Sequence, residues 1–360
     1  LPASRRKVGP LVSSCIPRFI TTTRRSAVGS VSPPQAYRAL PAYLGSKRRL
    51  APLLFSALNE IMPCRSWVGG RWVEPFLGSG AMALTAKAHG FEVHASDRAR
   101  RSFVVGKALI ENTESHLATA DVSALFKSTP DPAVHAIARR VLGEQQAQFV
   151  ARAIPAIRAA PEPQCWLLEL TLLKWLLRCF PMSIPSATDA RYGAELDLDR
   201  ISTRRVGHYL RARRSARPSV LWSIAQDVNA GVLPGTGSAS QLGALDFLST
   251  QQADVVYLDP PYPGTSSYED AYAFIDELLE GERHDVSDYS GRAPPITSLL
   301  DAASHIPIWL ISYGGRDAAN IVDLVRDRRS RVEVCEVTYQ HLASLNPNRS
   351  TNELIIAARP

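Results

Sequence analysis

The chain has 360 residues, 45% of them hydrophobic and 21% charged, which is enough to bury a full α/β core and leave room for a second lobe. A formal charge of +7 and an isoelectric point near 9.3 fit a polyanionic partner. Five scattered cysteines with no Cys-x-x-Cys pair exclude a disulfide framework, and dispersed histidines suggest no metal site; reduced core thiols point to the cytoplasm.

Residues 1–35 hold Arg5, Arg6, Lys7, Arg18, Arg24 and Arg25 without an acid, among Ser, Thr and Pro. This composition predicts a disordered basic tail. It lacks the apolar centre of a secretory signal, while an organelle transit peptide is the competing reading. Next, Tyr43-Leu44-Gly45-Ser46-Lys47 reads as a helix start, with Ser46 capping a helix from Lys47 to about Ile61.

Residues 71–80 run from a short strand through Glu74-Pro75-Phe76-Leu77 into Gly78-Ser79-Gly80; residues 81–88 read as a helix and 91–96 as a second strand ending at Asp97. Such a βαβ unit lets glycine backbone approach a ligand closely, and an acid at the next strand's tip can grip ribose hydroxyls. Asp97 could equally cap the following helix. The turn lacks the third glycine of a dinucleotide fingerprint, and no Gly-Lys-Ser/Thr loop occurs in the chain. A nucleoside without phosphates therefore fits better. An adenosyl sulfonium asks for glycine clearance, a ribose acid and carboxylates near its cation, which Glu74, Asp97 and Asp259 could supply.

Residues 165–180 repeat apolar side chains at helical spacing (Leu168, Leu172, Trp175, Leu176, Cys179) but carry Glu169, Lys174 and Arg178. They are too short and too charged to cross a bilayer and predict a buried helix, with Trp166, Trp175 and Phe180 as core. Residues 181–199 are polar and turn-rich around Tyr192-Gly193. Then come Arg204, Arg205, His208, Arg211, Arg213, Arg214 and Arg217 with Tyr209 and no acid among them. A solvated helix face is the plain reading; the absence of alternating acids favours contact with nucleic-acid phosphates. Residues 231–240, rich in Gly and Ser, read as a linker returning to the sheet. Asp246 and Phe247 read by themselves as a surface acid beside a core aromatic.

The apolar run 255–258 predicts a buried strand that ends at Asp259-Pro260-Pro261-Tyr262. A turn closing a strand is the plain reading of that tetrapeptide. The chemical reading is stronger. The exocyclic amino group of a nucleobase is a poor nucleophile because its lone pair is delocalised, and two acceptors aimed at its N–H bonds would localise it. The Asp259 carboxylate and the Pro260 carbonyl can be those acceptors, the prolines fixing their aim, with Tyr262 stacking on the base. Residues 263–268 form either a closing loop or a plain connection. Segments 306–312, 331–339 and 352–358 read as strands, the last two as an antiparallel hairpin.

Five runs in order, Tyr43 to Lys47, Phe76 to Gly80, Asp97, Asp246-Phe247 and Asp259 to Tyr262, resemble the DNA adenine methylase (Dam-like) family of S-adenosylmethionine-dependent methyltransferases. The resemblance covers about residues 40–112 and 240–360. It implies a Rossmann-like α/β fold, a seven-stranded sheet with helices on both faces, plus an inserted, mainly helical target-recognition lobe. The expected divisions are a tail at 1–35, catalytic parts at 36–112 and 241–360, and the insertion at 113–240. By resemblance, Tyr43 and Lys47 close over S-adenosylmethionine, Asp97 holds its ribose, Asp246 with Phe247 meets its adenine, and Asp259 faces both cofactor and target. No metal is required. The partner implied is double-stranded DNA, with a cognate restriction endonuclease as a further one, and no membrane. Residues 181–199 depart from the Asn-, Phe- and Gly-containing pattern of Dam itself, so the recognised sequence is not legible. Cytosine N4, an RNA adenine or a protein glutamine amide are rival targets, and a catalytically silent DNA-binding relative is a rival of another class.

Overall fold

A computed structural model describes residues 33–179, 215–261, 268–281, 294–314, 318–340 and 350–360. After a short helix α1 (Pro33–Ala36) and a 3-10 turn at Lys47–Arg49, the chain forms α2 (Ala51–Ile61), β1 (Arg71–Glu74), α3 (Ala81–Ala88), β2 (Glu92–Ser96) and α4 (Arg100–Val105), which runs on as a π-helical turn over Gly106–Glu111. Helices α5 (Thr119–Ala124), α6 (Pro132–Arg139), α7 (Glu144–Ala159), α8 (Gln164–Cys179) and α9 (Pro218–Asn229) follow. The chain then returns through β3 (Gly237–Ser240), α10 (Ala244–Thr250), β4 (Val255–Leu258), α11 (Tyr268–Glu280), α12 (Ile296–Ala302), β5 (Ile308–Tyr313), α13 (Ala318–Arg326), β6 (Arg331–Gln340) and β7 (Ser350–Arg359).

Among the described residues the strands form one seven-stranded sheet in the order β3-β2-β1-β4-β5-β7-β6. Strands β3, β2, β1, β4 and β5 are parallel, and β7 enters antiparallel between β5 and β6. The alternation of side chains along each strand explains two separate cores. Trp72, Val93, Val255, Tyr257, Leu310, Ile355 and Ala357 face one cluster, against helices α2, α3, α8 and α9. Val73, Val256, Leu258, Trp309, Ile311, Ile356 and Ala358 face the other, against α10, α12 and α13. Strands buried on both faces read as unbroken apolar runs, as β4 does. The expected α/β sheet with helices on both faces is the observed architecture.

Helices α5 to α9 extend the first cluster through Val122, Val134, Val150, Leu172 and Leu221, so their core is continuous with that of the sheet. Within α8 both Leu172 and Trp175 are fully buried, as the spacing predicted; Phe180 lies outside the described residues. No helix of the described residues is long and apolar enough to cross a membrane.

Three local expectations change. Of the described cysteines expected in the core, Cys179 is buried, while Cys165 and Cys335 are half-buried and Cys64 is exposed. Residues 237–240, expected within a linker, are the edge strand β3, paired in parallel with β2 from Val93↔Gly237 to Ser96↔Ser240. Its small side chains follow from close packing rather than from flexibility. A Cβ at Gly237 would meet the Ile110 carbonyl at 2.7 Å, and one at Gly106 would meet Ala239 Cβ at 2.7 Å. Ser46 holds the N-cap position of the 3-10 turn Lys47–Arg49 rather than of a helix running to Ile61, and its side chain makes no capping hydrogen bond. Pro52, which has no N–H to donate, occupies the first turn of α2, so the helix begins at Ala51, and the Ser46 hydroxyl pairs with Ser79 Oγ at 3.0 Å.

Candidate active site

The carboxyl ends of β1, β2 and β4 open into one cavity of about 280 Å³, the place where a doubly wound sheet takes its ligand. Its floor is the turn after β1. Gly80 has φ +75°, a left-handed conformation that costs other residues energy, and a Cβ there would come within 2.8 Å of Val105 Cγ1. The Gly78 amide donates to Asp97 Oδ2 at 2.8 Å, while Asp97 Oδ1 accepts from the Ala99 amide at 3.0 Å. Asp97 therefore braces both the glycine turn and the start of α4, and it also lines the cavity. Burial raises its carboxyl, and the Gly78 and Ala99 amides oppose that rise.

Glu74 ends β1 with its side chain buried and accepts from Trp72 Nε1 at 3.1 Å. Burial pushes its carboxyl well above the ordinary range, and the nearby Asp259 and Asp97 carboxylates push it further. A buried acid held in this way favours its neutral form, and a cation beside it would favour the ionised one.

Asp259, one residue past β4, lines the same cavity beside Pro261. Its Oδ1 accepts from Lys47 Nζ at 2.9 Å and from Ser312 Oγ at 3.0 Å. Lys47 is itself buried and reaches Glu353 Oε1 at 3.1 Å, while Ser312 shares a 2.7 Å hydrogen bond with the Tyr257 hydroxyl. Burial raises the Asp259 carboxyl above its ordinary range, with Lys47 lowering it and Glu353 raising it. Pro260 is buried next to it.

The roof comes from two segments far apart in sequence. Tyr43 stacks on Tyr272 of α11 with ring centroids 5.2 Å apart, and the Leu44 amide donates to the Tyr272 hydroxyl at 2.9 Å. Behind them Arg101 forms a buried ion pair with Asp276 and lies 4.3 Å from the Tyr272 ring centroid. The far wall is Leu242, Leu245, Asp246 and Arg98. Asp246 lies in the first turn of α10, and Phe247 points into the second core cluster with Leu248 and Val256.

The cavity thus gathers Tyr43, Lys47, Glu74, Phe76, Gly78, Asp97, Asp246 and Asp259. Gly80 shapes it from behind, and Phe247 is not among its lining residues. Tyr262, the loop 263–267, the segment 181–199 and Arg204, Arg205, Arg211, Arg213 and Arg214 lie outside the described residues. Arg101, Tyr272, Ser312 and Glu353 were not visible as site residues in the sequence. Glu353 had one signal, an acid immediately before the apolar run Leu354–Ala358. Among the described residues no group of His, Cys, Asp and Glu is placed to hold a metal ion.

Residues 43–158 match the model of the D12 class N6 adenine-specific DNA methyltransferases. A curated relative, the Type II methyltransferase M2.HphI of Haemophilus parahaemolyticus, is 22% identical over 298 residues, covering 78% of this chain and 85% of the relative. The matched segment contains Tyr43, Lys47, Glu74, the glycine turn and Asp97, which is most of the cavity floor and part of its roof. Residues 43–158 are thus similar to the D12 class N6 adenine-specific DNA methyltransferases, and the chain over most of its length is similar to a Type II methyltransferase.

Proposed function

We propose that this enzyme transfers a methyl group from S-adenosylmethionine to N6 of an adenine turned out of duplex DNA at a specific site. The observation that carries the reading is the shared cavity: Asp259 at the end of β4 and the Gly78/Asp97 turn line one space. When bound, S-adenosylmethionine supplies an electrophilic methyl group on a sulfonium cation. The residues present fit that group. Gly80 leaves room for close backbone approach, Asp97 offers a carboxylate to ribose hydroxyls, and Leu242 and Leu245 offer apolar surface beside Asp246 for an adenine ring. Glu74 and Asp259 supply negative charge for the cation.

On the target side the Asp259 carboxylate and the Pro260 carbonyl accept the N–H bonds of the adenine amino group, and Tyr262 stacks on the base. An amino group held by two acceptors presents its lone pair, and its departing proton goes to Asp259, whose raised carboxyl makes it a better proton acceptor than an exposed aspartate. Extruding the base costs a few kcal/mol. Arg204, Arg205, Arg211, Arg213 and Arg214 are proposed to offset this cost through phosphate contacts. Residues 113–240 would form the target-recognition insertion. A role beside a restriction endonuclease in the cytoplasm is proposed on the likeness to a Type II methyltransferase.

The test is transfer from labelled S-adenosylmethionine to unmethylated duplex DNA, RNA and protein, followed by sequencing of modified bases in the DNA of an expression host. Label on N6 of adenine within a fixed sequence is expected, together with loss of transfer in a folded Asp259→Ala protein. Label on cytosine, RNA or glutamine, or full transfer by Asp259→Ala, would falsify the reading.

A further inference from the structure

Strand β7 supplies Ile355 and Ala357 to the first core cluster, and Glu353 occupies the next position on that same face. Its side chain is 1% exposed, and that of Lys47 is 7% exposed. Burying a charge pair costs several kcal/mol per ion, and an apolar pair of similar volume would serve the fold at least as well. Glu353 and Lys47 are therefore not explained by packing. Their geometry gives another reason. Lys47 Nζ stands between Glu353 Oε1 at 3.1 Å and Asp259 Oδ1 at 2.9 Å, and Ser312 Oγ reaches the same Asp259 oxygen at 3.0 Å. Two donors from different elements, converging on one oxygen, fix the plane of the carboxylate. Any rotation short of a half-turn breaks both bonds.

We propose that Glu353 and Ser312 are positioning residues for Asp259, Ser312 acting directly and Glu353 through Lys47, so that the acid is already oriented before the target base arrives. The inference rests on the reading of Asp259 as an acceptor for the adenine amino group. Glu353 anchors the ammonium from the side away from Asp259 and keeps it from swinging into the cavity. Among the described residues the groups around Asp259 include Lys47, Glu353, Ser312, Tyr257 and Glu74. Lys47 holds its carboxyl down and Glu353 holds it up. An acid with only the lysine beside it would be a weaker proton acceptor.

The experiment compares full-length wild type, Glu353→Gln, Ser312→Ala and Lys47→Met. Single-turnover methyl transfer is measured against pH, S-adenosylmethionine binding by calorimetry, and the Asp259 titration by carboxyl carbon-13 NMR, assigned with Asp259→Asn. For Glu353→Gln the expected result is a transfer rate lower by about a hundredfold, cofactor affinity within about threefold of wild type, and an Asp259 titration moved down. The acid limb of the rate profile should move with it. Lys47→Met should move the titration upward. Should Glu353→Gln fail to fold, Ser312→Ala carries the test: a lowered rate with cofactor affinity retained supports the proposal, and an unchanged rate overturns it. A wild-type rate in Glu353→Gln, or a uniform loss with an unmoved titration, also overturns it. The NMR titration needs no turnover, so a protein that shows these shifts but leaves adenine unmethylated would refute the proposed activity and not the arrangement.

Discussion

The hydroxyl of Tyr272 accepts a hydrogen bond from the Leu44 amide at 2.9 Å, across 228 residues of sequence. The helix that follows the Asp259-Pro260-Pro261-Tyr262 run is thereby tied to the segment that roofs the cavity, and the Tyr43–Tyr272 ring stack reinforces the tie. Tyr272→Phe keeps the stack and removes the acceptor. The expected outcome is a loss of about 1 kcal/mol, read as a lower Tm and weaker S-adenosylmethionine binding by calorimetry, with transfer at saturating cofactor close to wild type. A lowered saturating rate with unchanged cofactor affinity would contradict this assignment of the roof.

If Glu74 faces the proposed cofactor, cofactor binding is expected to depend on pH. Burial holds its carboxyl well above the ordinary 4.5. In that window folded Glu74 keeps a proton that the unfolded chain has released, so the unliganded protein loses stability as pH rises through it. A cation in the cavity favours the ionised form. Binding of S-adenosylmethionine is therefore expected to release a proton and to tighten as pH rises. Calorimetry in two buffers of different ionisation enthalpy measures the release. Glu74→Gln should remove most of it and flatten the stability slope; unchanged release in that variant counts against the role.

Gly80→Ala tests the glycine turn. The φ of +75° costs an alanine about 1–2 kcal/mol, and the new methyl would press on Val105 Cγ1 at 2.8 Å. A lower Tm together with weakened cofactor binding is expected. Wild-type values for both would mean that the turn relaxes and that its shape does not govern the cavity.

Lys87 supports the sheet edge rather than the chemistry. Its buried ammonium donates to the carbonyls of Leu109, Ile110 and Asn112 at 3.0, 2.7 and 2.8 Å, where the π-helical turn ends against β3. Lys87→Met leaves those acceptors without their donor, at a cost of roughly 2–4 kcal/mol. Hydrogen exchange should quicken at Ala239 and Ser240 before it does at β4. Uniform exchange across the sheet would show that the edge is held by something else.

The parts of the fold carried by contiguous pattern were legible in the sequence. β4 is a continuous apolar run, the glycine turn lies between a strand and a helix, and β7 closes on the apolar run Leu354–Ala358. Strand β3 was not legible, because Gly237, Ser238, Ala239 and Ser240 are small for the sake of the π-helical turn packed over them, and smallness imitates a linker. The convergence of strand ends on one cavity followed from parallel βαβ order. The surroundings of Asp259 did not. Ser312 reaches it because β5 runs parallel beside β4 with Leu258 opposite Ile311, and Glu353 because β7 inserts between β5 and β6 with Leu354 opposite Tyr313. Arg101 and Asp276 meet across 175 residues and carry no local motif.

The two-sided burial of the sheet also governs how substitutions combine. Leu310 and Ile311 are consecutive, yet Leu310 packs with Tyr257 and Ala357 while Ile311 packs with Val256 and Ile356. Sites on opposite faces share few neighbours, so their energetic effects should add, whereas those on one face should show epistasis. Evolutionary repacking can therefore proceed on the α12 side almost independently of the face that carries Trp72 and Tyr257, although α10 carries any change on the α12 side to the cavity wall at Ala244 and Asp246.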